Sequence, residues 1–257
     1  MDMIVVFQWF LWFMAYSFMG WVYESAICSV TQKRFINRGF LKGPICPVYG
    51  FGALACIFLL YQRTENVVVL FLAGMFLTCA VEYITAVLLE KLFDAKWWDY
   101  SNRRFNLNGR ICLLGAVVFG ILSVILIKIF HPKVVVLTAQ APEWLQIVLA
   151  GILFSLILWD LYTTVRHLLR LNSRLKDIQV AINEFLSKNV KRAGEVKDAI
   201  LDRFEESEFY NERIKNLFSL NRIQNMRIFH AFPNLRSLKY HEALQKLKKF
   251  VLGEKYS

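Results

Sequence analysis

Long apolar runs fill the first two thirds of the chain and alternate with short polar segments. A helix that crosses a bilayer needs about 20 mainly apolar residues. The runs therefore predict five membrane spans, at about residues 3–30, 44–61, 67–90, 110–130 and 143–163. The second run is short and begins in a glycine- and proline-rich stretch, so a re-entrant segment is the alternative to a full helix there. The pattern predicts an all-α, polytopic membrane protein with a transmembrane domain over residues 1–165.

The remaining residues, 166–257, form a polar and basic tail that we predict to be a cytoplasmic helical domain. Apolar side chains recur at alternating intervals of three and four over residues 168–185, which is typical of a coiled-coil seam. A break near Gly194 and a second helical pattern over 196–217 follow, so the tail is either an antiparallel helical hairpin or a coiled-coil dimer. After Pro233, leucines alternate with lysines. That segment is expected either on the anionic membrane surface or docked on the preceding helices.

Composition and charge narrow the class of protein. Hydrophobic residues make up 56% of the chain and charged residues 20%, against about 45–50% and about 25% in soluble domains. This excludes a soluble enzyme, a secreted disulfide module and a disordered chain. The net charge of +11 resides mostly in the tail. In a membrane protein such an excess of basic residues more often sets the orientation in the membrane and contacts lipid than binds nucleic acid.

The distribution of basic residues predicts the orientation in the membrane. Lysine and arginine are concentrated in the first loop, the third loop and the tail, and are few in the second and fourth loops. Because positively charged loops stay in the cytoplasm, we expect a multi-pass protein of the plasma membrane with its N-terminus outside and its C-terminus in the cytoplasm.

The cysteines give no sign of a metal centre. Five cysteines lie in the spans or at their cytoplasmic ends, and no Cys-x-x-Cys pair occurs. An odd count without such pairs argues against a disulfide framework and against a zinc site. They are expected to be small buried residues, with a reactive thiol as the alternative, and neither a metal nor a cofactor is expected.

Residues 66 positions apart match at several places in the first two cytoplasmic hairpins. The pairs are Glu24 with Glu90, Arg38 with Arg104, Gly43 with Gly109, Ile45 with Ile111, and Cys46 with Cys112. Parallel repeats of this kind are common in membrane proteins, with a site at the repeat interface. The alternative is two unrelated hairpins that both need a glycine at the turn.

Acidic residues inside apolar spans are the first candidates for function, because a charge in a bilayer is costly. Four of them lie in the cytoplasmic halves of the predicted spans: Glu24, Glu82, Glu90 and Asp160. They predict a site that binds a cation, relays protons or recognises a cationic substrate. The alternative is that they form ion pairs with Arg38, Arg104 or Arg110 and fix the loops to the helices.

The first and third loops are the second candidates. Residues 37–52 contain two prolines and four glycines, so the backbone is irregular and at membrane depth must face protein or a water-filled cavity. Its amides, with Arg38 and Lys42, could cradle an anion, unless the loop is simply a tight re-entry turn. In the third loop Trp97, Trp98 and Tyr100 are typical of interfacial anchors, with a lid over an acidic cavity as the alternative.

Several of these segments together are similar to a known family. They are Gly20-Trp21-x-x-Glu24, Asn37-Arg38-Gly39-Phe40-Leu41-x-Gly43-Pro44-x-x-Pro47-x-Tyr49-Gly50, Glu82-Tyr83, Trp97-Trp98-Asp99-Tyr100-Ser101, Phe105-Asn106-x-x-Gly109-Arg110-Ile111-Cys112 and Ala231-Phe232-Pro233. Over about residues 10–125 the chain resembles the putative ABC-transporter type IV membrane family of bacteria. The resemblance implies a membrane fold and a permease role with a separate ATPase. Its motif positions, with the intramembrane acids, imply a solute-binding set: Glu24, Asn37, Arg38, Gly43, Pro44, Pro47, Glu82, Glu90, Trp98, Asp99 and Arg110.

The sequence thus predicts a permease-type protein of the lipid bilayer with a cytoplasm-facing acidic site for a small solute. No G-x-x-x-x-G-K-[ST] motif occurs, so the chain is not expected to be an ATPase or any other enzyme, and a separate ATPase subunit is its expected partner. The alternative function is a membrane scaffold or regulator that acts through the tail, which is also the expected contact of a homo-oligomer. No nucleic-acid partner is expected.

Overall fold

The computed structural model describes residues 3–193 and 222–252 of the chain. Its helices are α1 (Met3–Gln32), α2 (Pro47–Leu60), α3 (Val67–Phe93), α4 (Leu113–Ile125), α5 (His131–Gln140), α6 (Glu143–Ala193), α7 (Arg222–Ala231) and α8 (His241–Leu252). Four two-residue strands, β1 (Ala95–Lys96), β2 (Asn106–Leu107), β3 (Ile111–Cys112) and β4 (Arg236–Ser237), form the antiparallel pairs β1–β4 and β2–β3. The all-α fold class is confirmed.

Four helical segments of the described residues are long and apolar enough to cross a membrane. They are Met3–Gln32, Val67–Phe93, Leu113–Gln140 and Glu143–Glu184, so the chain is a polytopic membrane protein. The predicted second span contains only the 14-residue helix α2. At about 1.5 Å per residue this helix is about 21 Å long, which is too short to cross a bilayer by itself.

The fourth span is longer than the sequence predicts. Its predicted end at residue 130 and the following loop are wrong, because the helix continues through a π-helical turn at Leu126–Phe130 into α5. Pro132 explains the turn: it has no N–H to donate, and its ring would meet the carbonyl group four residues earlier. The amide of His131 bonds instead to the carbonyl of Leu126, which widens the helix by one residue.

The chain forms two compact units. The first contains residues 1–89 and 98–164, and the second contains residues 90–97 and 165–257. The second unit therefore includes, besides the tail, the end of α3 and the start of the third loop, which the predicted domain division places in the transmembrane domain.

In the first unit, α1 and α2 cross closely because glycines lie at the contact. A Cβ atom on Gly20 would stand 2.2 Å from Cγ of Tyr49, and one on Gly50 would stand 2.3 Å from Oγ of Ser17. Small residues allow this close approach in a membrane, where the hydrophobic effect does not drive helices together and packing must do so. The core around the crossing consists of Tyr16, Ala53, Cys56, Ile57, Leu60, Leu70 and Ile127. The short helix α2 is thus held in place by protein contacts.

In the second unit, the tail is packed against itself and against residues 90–97. Strand β1 pairs with β4, and Lys239 forms a salt bridge of 2.8 Å with Asp94. The rings of Trp97 and Phe232 are 5.0 Å apart, edge to face. Lys248 donates to the carbonyl oxygens of Pro233 and Leu235 at 2.9 and 2.6 Å, and burial lowers the pKa of its ammonium group to about 8. The Ala231-Phe232-Pro233 motif therefore forms a structural turn.

The apolar seam of the tail is buried within this single chain. The buried positions on α6 are Leu168, Leu171, Leu175, Ile178 and Ile182. After Pro233, Leu235, Leu244 and Leu247 are each at most 4% exposed, so the segment is docked on protein, and its placement on the membrane surface stays a prediction. The predicted break near Gly194 and the helical pattern over 196–217 lie outside the described residues. Association through the tail stays a prediction.

Candidate functional site

The first loop does not stay outside the helices but runs back along α1. We call residues 33–46 the return segment. Beyond the first two residues, three of its amides donate to α1: Ile36 to Oγ of Ser29 at 2.9 Å, Arg38 to Oγ of Ser25 at 3.2 Å, and Cys46 to the carbonyl of Ser17 at 2.9 Å. Helix α2 therefore begins at the level of Ser17, about 21 Å along α1 from Met3. The predicted second span is an extended half followed by a helical half.

The irregular half of this span is covered by protein. Leu41 is 1% exposed and packs with Met14 and Ile45. Phenylalanines of α1 and two residues of α6 close around them: Phe10, Phe13, Leu153 and Ile157, with Phe40 of the segment itself. This is the condition under which non-helical backbone is tolerated at membrane depth.

Asn37 organises the return segment from within. Its Oδ1 accepts from Nε1 of Trp21 at 2.8 Å and from the amide of Gly39 at 3.1 Å, and its Nδ2 donates to the carbonyl of Lys42 at 2.8 Å. Both polar ends of the amide are thereby used. Asn37, one of the predicted solute ligands, is in this structure a loop-closing residue.

The amides predicted to cradle an anion already bind a carboxylate of the chain. Asp160 of α6 accepts from the amides of Lys42 at 3.0 Å and Gly43 at 2.7 Å, and from Oγ1 of Thr164 at 3.1 Å. A Cβ atom on Gly43 would lie 3.1 Å from the same carboxylate, so glycine leaves room for this contact. The expected cradle for an external anion is therefore wrong for these two amides, because Asp160 fills it.

Replacing Asp160 by asparagine should loosen the return segment. One of the two oxygens becomes an amide group that cannot accept from a backbone N–H, and leaving such a donor unsatisfied costs about 2 kcal/mol. We expect a lower unfolding temperature and faster maleimide labelling of Cys46, which is 7% exposed, with labelling followed peptide by peptide in a mass spectrometer.

Thr164→Val is the matched control, because it removes one donor to the same carboxylate and leaves both amides bound. Its labelling rate at Cys46 should equal that of the wild type. Equal rates in the Asp160 variant as well would show that the carboxylate does not hold the segment.

Near the start of α2, three side chains from different segments meet. Glu24 of α1 forms an ion pair with Arg38, whose Nε is 3.5 Å from Oε2, and Oε1 accepts from the hydroxyl of Tyr49 at 2.6 Å. The alternative of a pair between Glu24 and Arg38 is thus present in the structure. Tyr49 was not among the predicted ligands, although it stands in the motif Tyr49-Gly50 that marks the start of α2.

The second acid, Glu82 of α3, is partly buried and lies within electrostatic range of Glu24. Among the described residues no hydrogen bond or ion pair reaches its carboxylate. Tyr100 of the third loop lies beside both acids: burial raises the pKa of its phenol above the usual range, and the charges of Glu82 and Glu24 raise it further. We call Glu24, Arg38, Tyr49, Glu82 and Tyr100 the acidic cluster.

The third loop is fixed to α3 by an arginine. The guanidinium of Arg110 donates to the hydroxyl of Tyr83 at 2.8 Å and stands 5.0 Å from the centre of its ring. Nε1 of Trp98 donates to the carbonyl of Arg110 at 2.9 Å. These contacts hold the loop in place next to Glu82. The interpretation as an interfacial anchor is wrong for Trp97, which is 4% exposed and packs on Phe232, and for Trp98 it stays a prediction.

A tight turn completes this loop. Asp99 accepts from both the amide and the hydroxyl of Ser101. The amide of Tyr100 donates to the carbonyl of Gly109 at 2.7 Å. Gly109 has φ +71°, which glycine adopts without strain. Asp99 is therefore a turn-forming residue, and the turn is what brings Tyr100 to the acids.

The structure thus divides the predicted site residues into two groups. Glu24, Arg38 and Glu82 meet in the acidic cluster. The others shape the backbone around it or lie elsewhere: Asn37, Gly43, Pro44, Trp98, Asp99 and Arg110 in the two loops, Pro47 at the start of α2, and Glu90 in the second unit. Pro47 occupies the first turn of α2, where its missing N–H costs nothing. Among residues 3–193 and 222–252, no group of three His, Cys, Asp or Glu side chains forms a candidate metal site.

The repeat hypothesis has one structural parallel and one difference. Cys46 and Cys112 both lie, with extended backbone, directly before a helix. However, Gly109 has a positive φ and Gly43 does not. A duplication stays a prediction.

Comparison with known proteins gives one match. The model of a family described as putative ABC-transporter type IV matches residues 11–165, which is more than half of the chain. The match covers the whole acidic cluster and the return segment. No curated protein and no solved structure matches the chain.

Proposed function

Because the chain belongs to the family described as putative ABC-transporter type IV, we propose that it is a permease-type membrane protein that binds a small cationic solute at Glu24 and Glu82. The observation that carries this proposal is the charge of the acidic cluster. Two carboxylates come together, while the cluster contributes one guanidinium, which is paired with Glu24. A bound cation would supply the missing positive charge, and an unpaired intramembrane acid is a functional candidate by default.

A second observation supports a positive charge on the solute. The amides of Lys42 and Gly43, which could have served an anion, are bound by Asp160. The phenol oxygens of Tyr49 and Tyr100 are neutral donors or acceptors next to the acids, and they can complete the coordination of a cation. This combination of groups favours a small cation over an anion.

The family also supports the rest of the proposal. A permease of this kind needs an energy source, and the chain contains no Walker motif, so we propose a separate ATPase subunit and no enzymatic activity of the chain itself. We further propose that the N-terminus lies outside the plasma membrane and the tail in the cytoplasm, from the distribution of basic residues among the loops.

A scaffold or regulatory role is the second candidate, and one observation favours it. Residues 90–97, the end of α3 and the start of the third loop, form a compact unit with the tail, with Trp97 packed on Phe232. Because the tail packs on part of the third loop in this way, it is suited to transmit the binding of a partner from the tail to that loop. On this alternative, deleting residues 166–257 would abolish the cellular phenotype, whereas binding of solute to Glu82 would be absent.

The direct test is ligand-induced stabilisation of the purified protein in nanodiscs. Small inorganic cations, organic amines and, at equal ionic strength, small anions are screened by thermal shift. A ligand at a hundredfold excess over its dissociation constant stabilises the protein by about 2.7 kcal/mol. We expect a shift with at least one cation, and its loss in Glu82→Gln.

Glu90→Gln is the matched control, since it removes an acid from the same helix outside the acidic cluster, and it should keep the shift. A shift with anions alone, or one that persists in Glu82→Gln, would overturn the proposed site.

A further inference from the structure

A short hairpin in the third loop leads directly into a membrane span. Strands β2 and β3 pair with Asn106 opposite Cys112 and Leu107 opposite Ile111. The amide of Leu113, the first residue of α4, donates to the carbonyl of Phe105 at 2.9 Å. The base of the hairpin is therefore tied to the first turn of an apolar helix, which places it at the boundary between water and lipid.

The outer side of this hairpin is both apolar and basic. The side chains of Phe105 and Leu107 are 79% and 54% exposed, and Arg103 and Arg104 beside them are exposed as well. None of the described residues hydrogen-bonds or ion-pairs with either guanidinium. From Tyr100 to Cys112 the sequence has three arginines and no acid, so no carboxylate of the hairpin itself neutralises the two charges.

The conformation of Phe105 is itself unusual. Its φ is +53°, in the left-handed region that bulky residues rarely adopt. The hydrogen bond from the amide of Leu113 holds the backbone here, and the ring is 79% exposed, so it is not packed against the first unit.

We propose that residues 101–108, which contain the first strand of this hairpin and the residues before it, bind anionic phospholipid headgroups. Phe105 and Leu107 insert at the interface, where apolar and aromatic side chains are favoured, and the guanidinium groups of Arg103 and Arg104 bind lipid phosphates. A lipid is the occupant rather than a protein because Leu113 and Leu114, at 50% and 64% exposure, continue the same apolar surface into the lipid-facing start of α4. The inference does not depend on the solute site.

The test compares the full-length protein in nanodiscs of phosphatidylcholine alone and of phosphatidylcholine with about 30% phosphatidylglycerol. Each basic residue close to an anionic surface strengthens attachment about fivefold, equal to about 1 kcal/mol. We expect amide hydrogen exchange over residues 101–108 to be about tenfold slower in the anionic nanodiscs. The difference should shrink at high salt, because ions screen it.

Arg103→Gln combined with Arg104→Gln should abolish this difference, and Arg63→Gln, which removes an exposed arginine from another loop, should preserve it. Phe105→Ser should raise exchange in both compositions. All these side chains are exposed, so the unfolding temperature should not change. Equal exchange in the two compositions, or slowing that occurs only when a protein partner is added, would overturn the proposal.

Discussion

Arg38→Gln is expected to lower the free energy of unfolding by about 3 kcal/mol, because it leaves Glu24 at membrane depth without its counter-charge. The guanidinium stands 3.5 Å from the carboxylate of Glu24, and a second acid, Glu82, lies within electrostatic range of it. Removing the cation therefore leaves the carboxylate of Glu24 without a counter-charge and next to another acid. The measurement is denaturant-induced unfolding in mixed micelles, followed by tryptophan fluorescence.

The double variant separates this cause from a loss of packing. If the cost arises from the uncompensated carboxylate, Arg38→Gln with Glu24→Gln should recover most of the lost stability. The interaction energy of such a cycle for contacting residues is commonly about 0.5–3 kcal/mol. If the losses of stability in the two single variants simply add up in the double variant, the ion pair is contradicted.

Glu82→Gln should change the free energy of unfolding in the opposite direction to Arg38→Gln, or leave it unchanged. It removes a carboxylate that no described residue binds and relieves its repulsion with Glu24, so stability should stay equal to that of the wild type or rise slightly. Together with the expected loss of solute binding, this gives a clear division: Arg38 and Glu24 maintain the structure, and Glu82 serves the solute. A Glu82 variant that unfolds readily would make this acid structural instead.

The membrane fold could be predicted from the sequence because hydropathy over 20 residues is a strong signal. Helices α1 and α3 and the apolar first part of α6 lie where the pattern predicts them. The continuation of α4 into α5 could not be predicted in this way, because Pro132 normally ends a helix and a π turn avoids that cost. The nature of the second span was likewise open, since only the contacts with α1 and α6 show how an extended half is covered.

The acidic cluster could be predicted only in part. Charges inside spans identify Glu24 and Glu82 without any structure, and the pairing of Glu24 with Arg38 was one of two alternatives. In contrast, the bond between Asp160 and the amide of Lys42 joins residues 118 positions apart. No local pattern encodes such a contact, so the amides appeared free for an anion. Tyr49 reaches Glu24 only because a glycine lies opposite its ring.

Gly50→Ala is expected to cost about 3 kcal/mol, since extra volume in a packed contact forces side chains and backbone apart. The new Cβ would lie 2.3 Å from Oγ of Ser17 and 2.6 Å from the ring of Phe13. Ser17 is fully buried and its carbonyl accepts from Cys46 at the start of α2. The ring of Phe13 is in contact with the rings of Phe10 and Phe51, so neither neighbour moves easily. The loss should be measurable as a fall in unfolding temperature.

Gly52→Ala in the same helix is a close control. Gly52 is also buried, but its Cβ would lie 3.5 Å from Cγ2 of Thr78, an ordinary contact. Alanine is the better helix former by about 1 kcal/mol, so this variant should be as stable as the wild type or slightly more so. Equal losses in both variants would mean that α2 tolerates no added methyl group anywhere, and the close crossing at Gly50 would then explain nothing.

The two variants should also differ at the acidic cluster. Tyr49 is the neighbour of Gly50 in sequence and donates to Glu24, so pushing α2 away from α1 should stretch that hydrogen bond. Any cation-induced thermal shift should therefore weaken in Gly50→Ala and remain in Gly52→Ala. The packing of α1 on α2 would then set the geometry of the solute site, which is a reason for glycine at this position that stability alone does not give.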